Sequence, residues 1–110
     1  MAAYTWTTGP MNGQPGLDFV QITLNNDSGS ARKVTLTLYD LSYTPKKVAV
    51  SESITLKPHG SAFVTIPLKK IGSWELRYKA YSRQVRAAVT ERGRCQSGTT
   101  VLSKDFILLT

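Results

Sequence analysis

Few side chains in this sequence have a type and spacing that could do chemistry. There is one histidine, His59, in the stretch KPHGS, and one cysteine, Cys95, in the polar stretch ERGRCQSGTT. With no second His or Cys at ligand spacing, neither builds a zinc site, and a single cysteine excludes an internal disulfide. The seven acids (Asp18, Asp27, Asp40, Glu52, Glu75, Glu91 and Asp105) are scattered, and no D-x-D-x-D loop for calcium occurs. Neither a glycine-rich phosphate loop nor a nucleophile elbow is present. The expectation is a protein that is not an enzyme and needs no cofactor or metal.

Charge is more informative. The formal net charge is +7. Between Lys69 and Arg94 stand eight basic residues (Lys69, Lys70, Arg77, Lys79, Arg83, Arg86, Arg92 and Arg94) against Glu75 and Glu91, so this third carries +6 of the total. Such a field attracts anionic polymers or acidic partners, and Arg77, Lys79, Arg83 and Arg86 are the candidates for holding an anion. Alternation along WELRYKAY puts Trp74 and Tyr78 on the face opposite Arg77 and Lys79, which leaves Tyr81 alone on the basic face. Stacking of bases needs aromatics beside the cations, so nucleic acid is the disfavoured partner. Arg92 and Arg94 would favour the thiolate of Cys95. As an odd cysteine in a polar loop, Cys95 is the candidate for a disulfide to another chain.

The elements that position these residues read as strands. In LDFVQITLNN-DSGSA-RKVTLTLYDL, Val20, Ile22 and Leu24 share one face, and after the polar turn Val34, Leu36 and Leu38 share one face. This is a half-buried antiparallel hairpin. KVAVSESITL follows, its parity interrupted by Glu52, for which a bulge near Ser51–Ser53 is one explanation and a crossing between sheet edges the other. KPHGS is a turn. Ala62, Val64, Ile66 and Leu68, then Trp74, Leu76, Tyr78 and Ala80, then Val85, Ala87 and Val89 continue the core pattern. VLSKDFILLT closes the chain as a last strand; its end, FILLT, is too apolar for simple alternation and reads as packed on both sides, by the sandwich or by another subunit. No helical stripe occurs. Seven or eight strands with turns between them predict an all-β, two-sheet antiparallel sandwich of immunoglobulin or fibronectin type III shape, with a jelly roll as the alternative.

Two units are expected: an arm over residues 1–16, whose AYTWTT is a short strand before the breakers Gly9, Pro10, Gly13, Pro15 and Gly16, and a sandwich over residues 17–110. A strand on such a hinge can fold onto its own sheet or pair with a neighbour's edge. No apolar run approaches the roughly 20 residues of a membrane span. The N-terminus lacks the basic and apolar regions of a secretory signal.

Four stretches together carry a resemblance: LDFVQITLNNDSGSARKVTLTLYDL, VAVSESITLKPHGSAFVTIPL, WELRYKAYSRQVRAAVTERG and VLSKDFILL. The chain resembles small Ig-like or fibronectin-like modules of Gram-positive, endospore-forming bacteria, among them spore-surface proteins, and CARDB-type adhesion sandwiches. The resemblance implies a structural or adhesive module with no catalytic residues. It also implies an extracellular or spore-surface location reached without a classical signal, with the cytoplasm as the alternative.

The function expected is a structural protein that self-assembles into a surface layer, spore coat or filament, its partner being itself. Tyr4 and Trp6 of the arm and Phe106, Ile107 and Leu108 of the C-terminus are the candidate contacts between copies. The alternatives are a module that binds an anionic polymer or nucleic acid through the basic face, and a viral or phage coat subunit.

Overall fold

The computed structural model describes residues 3–12, 17–68, 71–93, 97–102 and 105–109. The chain forms β1 (Tyr4–Thr7), β2 (Met11–Asn12), β3 (Leu17–Asn26), β4 (Arg32–Asp40) and β5 (Lys47–Leu56), then β6 (Ser61–Pro67), β7 (Ser73–Ala80), β8 (Val85–Gly93), β9 (Ser97–Val101) and β10 (Ile107–Leu108). One sheet has the order β10-β1-β7-β4-β5, with β2 also on β7; the other has the order β6-β3-β8-β9. The pairs are antiparallel throughout. The expected all-β sandwich is therefore what the chain adopts.

Period-2 alternation builds the core. Val20, Ile22 and Leu24 of β3 lie with Val85, Ala87 and Val89 of β8, and across the sandwich stand Val34, Leu36 and Leu38 of β4 with Trp74, Leu76, Tyr78 and Ala80 of β7, all buried. Each large aliphatic side chain buried this way contributes about 1.5–3 kcal/mol. The pairs β3–β6 and β4–β7, one in each sheet, interlock as the B–E and C–F pairs do in an immunoglobulin-type sandwich. The flanks differ. β8 takes the place beside β3 that a first strand would hold, and β1 takes the place beside β7 that a last strand would hold.

Neither explanation offered for Glu52 holds: no bulge falls at Ser51–Ser53, and β5 stays in one sheet. Arg32–Leu38 pairs without interruption with Leu56–Val50, and the register shifts only between Leu38 and Tyr39. Glu52 keeps the parity of Val50 and Ile54 and is exposed because β5 is the outermost strand of its sheet. The crossing to the other sheet comes after β5, at KPHGS. There Gly60 N–H donates to Lys57 C=O at 2.9 Å, and a Cβ at Gly60 would lie 3.0 Å from that oxygen, a close approach that glycine accommodates without moving the turn. Buried Asn26 pins this turn to the β3–β4 loop: its side-chain amide donates to Ser30 C=O and Lys57 C=O, and its Oδ1 accepts from the Ser28 N–H and hydroxyl.

Candidate functional site

The strand expected in the arm runs along its own chain's β7. Tyr4 to Thr7 stand opposite Ala80 to Arg77, Thr8 N–H donates to Leu76 C=O at 3.0 Å, and Met11 and Asn12 stand opposite Trp74 and Ser73. Between the two segments Gly9 takes φ 72°, a left-handed turn that glycine adopts without strain. Trp6 and Met11 pack against the core, and Trp6 stacks on Tyr78 with ring centroids 4.8 Å apart. In the single chain, then, the arm docks in cis, paired along β7 and with the Trp6 ring stacked on that strand.

On its other side β1 pairs with β10, Trp6 opposite Leu108 and Thr7 opposite Ile107, and Leu109 N–H donates to Thr5 C=O. The C-terminal segment divides here. Phe106 turns inward, is 8% exposed and meets Tyr78 edge-on at 5.1 Å. Ile107, Leu108 and Leu109 are 58%, 42% and 42% exposed. Dense apolar sequence at this terminus is thus packed by the sandwich at Phe106 only, and it leaves an apolar outer strand at the sheet's edge.

The four cations singled out by the sequence do not form one site. Arg77 and Lys79 lie on the outer face of β7. Arg77 Nε is 2.9 Å from Glu75 Oε2, and its guanidinium lies over the Tyr39 ring at 5.0 Å. Lys46, from the β4–β5 connection, reaches Glu75 Oε1 at 2.6 Å and lies over the same ring. Thr7 donates its hydroxyl to Glu75 Oε2, tying β1 to the cluster. Burial pushes the Glu75 carboxyl up, but the hydrogen bonds from Lys46, Thr7 and Arg77 outweigh it and hold the pKa down at about 2. Arg77 is therefore neutralised in place. Lys79 lies over the Tyr81 ring at 5.9 Å.

Arg83 and Arg86 lie at the edge instead. With Trp6, Tyr78, Val85 and Leu108 they line a cleft of about 320 Å³ between the two sheets. The fold leaves this cleft open for a simple reason. β9 pairs with β8 from Val89 to Arg92, so among the described residues Val85–Ala88 has no neighbouring strand on that side, and β10 is two residues long. Arg83 lies over the Tyr4 ring at 5.0 Å, and Arg86 makes a loose, exposed pair with Asp27 at 3.6 Å. Candidates from two separate readings, Trp6 and Leu108 as contacts between copies and Arg83 and Arg86 as anion holders, thus meet in one place.

Two further residues have no role in the sequence reading. Glu91 is fully buried on the core face of β8, accepting from the Trp74 indole N–H at 3.0 Å across the sandwich, while its Oε2 has no partner among the described residues. Tyr39 organises the outer face and was hidden because its strand reads as ordinary alternation. Cys95, Lys69, Lys70 and Arg94 lie outside the described residues. Among the described residues no cluster of three metal-ligating side chains occurs, and no helix is long and apolar enough to cross a membrane.

No family model matches this chain, and no curated protein matches it. Among solved structures it is similar to a protein from Thermotoga maritima, with a TM-score of 0.60 and 15% identity over 92% of each chain. It is also similar to a chain of the cowpea mosaic virus top component, the naturally occurring empty particles, with a TM-score of 0.54 and 14% identity over 91% of this chain and 82% of that one. The likeness is one of fold. The expected CARDB-type and spore-surface kinship finds no counterpart among family models, and what stands of it is the all-β sandwich.

Proposed function

We propose that this protein is a non-enzymatic structural subunit whose copies associate along the β1–β10 edge. The observation that carries the reading is the outer strand itself: three consecutive exposed aliphatic residues, Ile107 to Leu109, on an edge whose backbone is open to pairing. Soluble proteins normally guard such an edge with charge or proline, and an unguarded apolar edge is a template for another strand. β1 supports the reading. It sits in a last-strand position on a hinge containing Gly9 and Pro10, so exchange of β1 between copies would keep its contacts with β7 and add a covalent link between subunits. The likeness in fold to a chain from an assembled virus particle is compatible with a coat or layer subunit. The setting we favour is a surface layer, spore coat or particle shell rather than the cytoplasm.

The test is to place charge on the edge. The double substitution Ile107→Lys and Leu109→Lys, followed by sedimentation velocity and negative-stain microscopy, is expected to abolish assembly while the β-sheet circular dichroism is retained. Assembly that persists in this variant contradicts the reading.

A further inference from the structure

The edge cleft has chemistry that assembly does not use. Aromatic and aliphatic side chains form part of its lining: Trp6, Leu108 and the buried Tyr78 from one sheet and Val85 from the other. Its rim carries two guanidinium groups, Arg83 and Arg86, both on exposed residues. Among the described residues no carboxylate forms an ion pair with Arg83, and Asp27 reaches only one nitrogen of Arg86, at 3.6 Å, so donors remain on both. A guanidinium presents five N–H groups in a planar fork that suits carboxylate and phosphate oxygens. At about 320 Å³ the cleft stands at the small end of ligand pockets, which span roughly 300–1,000 Å³. On the outer face, by contrast, Arg77 is already held by Glu75.

We propose that this cleft binds a small aromatic anion. The ring lies against Trp6 and Leu108, and the phosphate or carboxylate is gripped between Arg83 and Arg86. An apolar wall with a cationic rim selects for both parts at once. A neutral ring forgoes the charge-assisted hydrogen bonds, and a bare inorganic anion leaves the apolar wall uncovered. The inference does not rest on the assembly reading: the two share Leu108 and Trp6, but Arg83 and Arg86 play no part in assembly, and Ile107 and Leu109 do not line the cleft.

The experiment is a nuclear magnetic resonance titration of the intact chain, following the Trp6 indole and the Leu108 methyl signals. The probes are adenosine 5′-monophosphate, 4-hydroxycinnamate, adenosine and inorganic phosphate. The proposal expects saturable shifts at Trp6 and Leu108 with at least one of the two aromatic anions. Binding of the monophosphate alone assigns a nucleotide-like source, and binding of the cinnamate alone assigns an aromatic carboxylate. Adenosine and inorganic phosphate are each expected to bind about tenfold more weakly or worse. The double variant Arg83→Gln with Arg86→Gln, both at exposed positions and checked for an unchanged amide spectrum, is expected to weaken the anion about tenfold or more, and Lys79→Gln to change nothing. No binding of either anion overturns the proposal. So does binding that adenosine or phosphate matches, or that the double variant leaves intact.

Discussion

Arg77 and Arg83 stand close together in the sequence and carry the same charge, yet the fold gives them opposite fates. Around Arg77 the charges are closed on themselves. Glu75 takes Lys46, Arg77 and Thr7, and Tyr39 lies under both cations. Around Arg83 and Arg86 the charges are open, facing a cleft with apolar walls. A basic stretch therefore counts toward binding only after subtracting the cations already spent on a buried carboxylate. In this chain the subtraction moves the candidate site from the face of the sheet to its edge.

The comparison can be broken most directly at its closed side. Glu75→Ala removes the acceptor from three donors and leaves two partly buried cations uncompensated, so urea denaturation is expected to show a loss of about 3 kcal/mol. Thr7 is one of those donors, so the variant also loosens β1 and is expected to raise the fraction of associated species. Acid probes the same cluster without mutation. The Glu75 carboxyl titrates at about 2 in the folded chain against an ordinary 4.5, so folding favours its ionised form. Its contribution is fully present above about pH 4.5 and lost as pH falls toward 2, amounting to about 3 kcal/mol. Glu75→Gln should flatten that part of the stability curve. A smaller effect, about 1 kcal/mol, is expected from Arg77→Met, which keeps the aliphatic packing over Tyr39 and leaves Lys46 and Thr7 on the carboxylate. At the open side Arg83→Gln should leave stability within about 0.5 kcal/mol, because the residue is exposed and holds no buried acceptor. A large loss there would mean that the cleft is as closed as the cluster.

One substitution pair sharpens the account of β1. Thr5 and Lys79 face each other across the β1–β7 pair, so cysteines at both positions in a Cys95→Ser background lie within disulfide reach. Oxidation of associated material is expected to give covalent multimers if β1 is exchanged between copies, and internally closed monomers if copies meet only edge to edge.

The two-sheet architecture was legible because alternation is local: Val20, Ile22 and Leu24, or Trp74, Leu76 and Tyr78, declare their face without knowledge of the partner strand. The division of Trp74 and Tyr78 from Arg77 and Lys79 follows from the same rule and holds in the structure. What alternation cannot give is pairing at a distance. That Lys46 lands on Glu75, or that Glu91 meets Trp74 across the core, depends on which loops and sheets come together. Neither a bulge nor a crossing is needed at Ser51–Ser53 for a related reason, since an edge strand exposes a core-parity residue such as Glu52 without any irregularity there. At the C-terminus, composition showed an excess of apolar residues but could not say that Phe106 alone would turn inward, which depends on β10 reaching β1 in the opposite sheet. The cleft was invisible in the sequence because its walls come from β1, β7, β8 and β10.

The most direct test is the mass of the unmodified protein in solution by multi-angle light scattering over a wide concentration range, with and without reductant. The account predicts species well above the 12.1 kDa of one chain, growing with concentration in both conditions; loss of them on reduction would place the joint at Cys95 and contradict the edge. A 12.1 kDa monomer at every concentration in both conditions would contradict assembly through the β1–β10 edge.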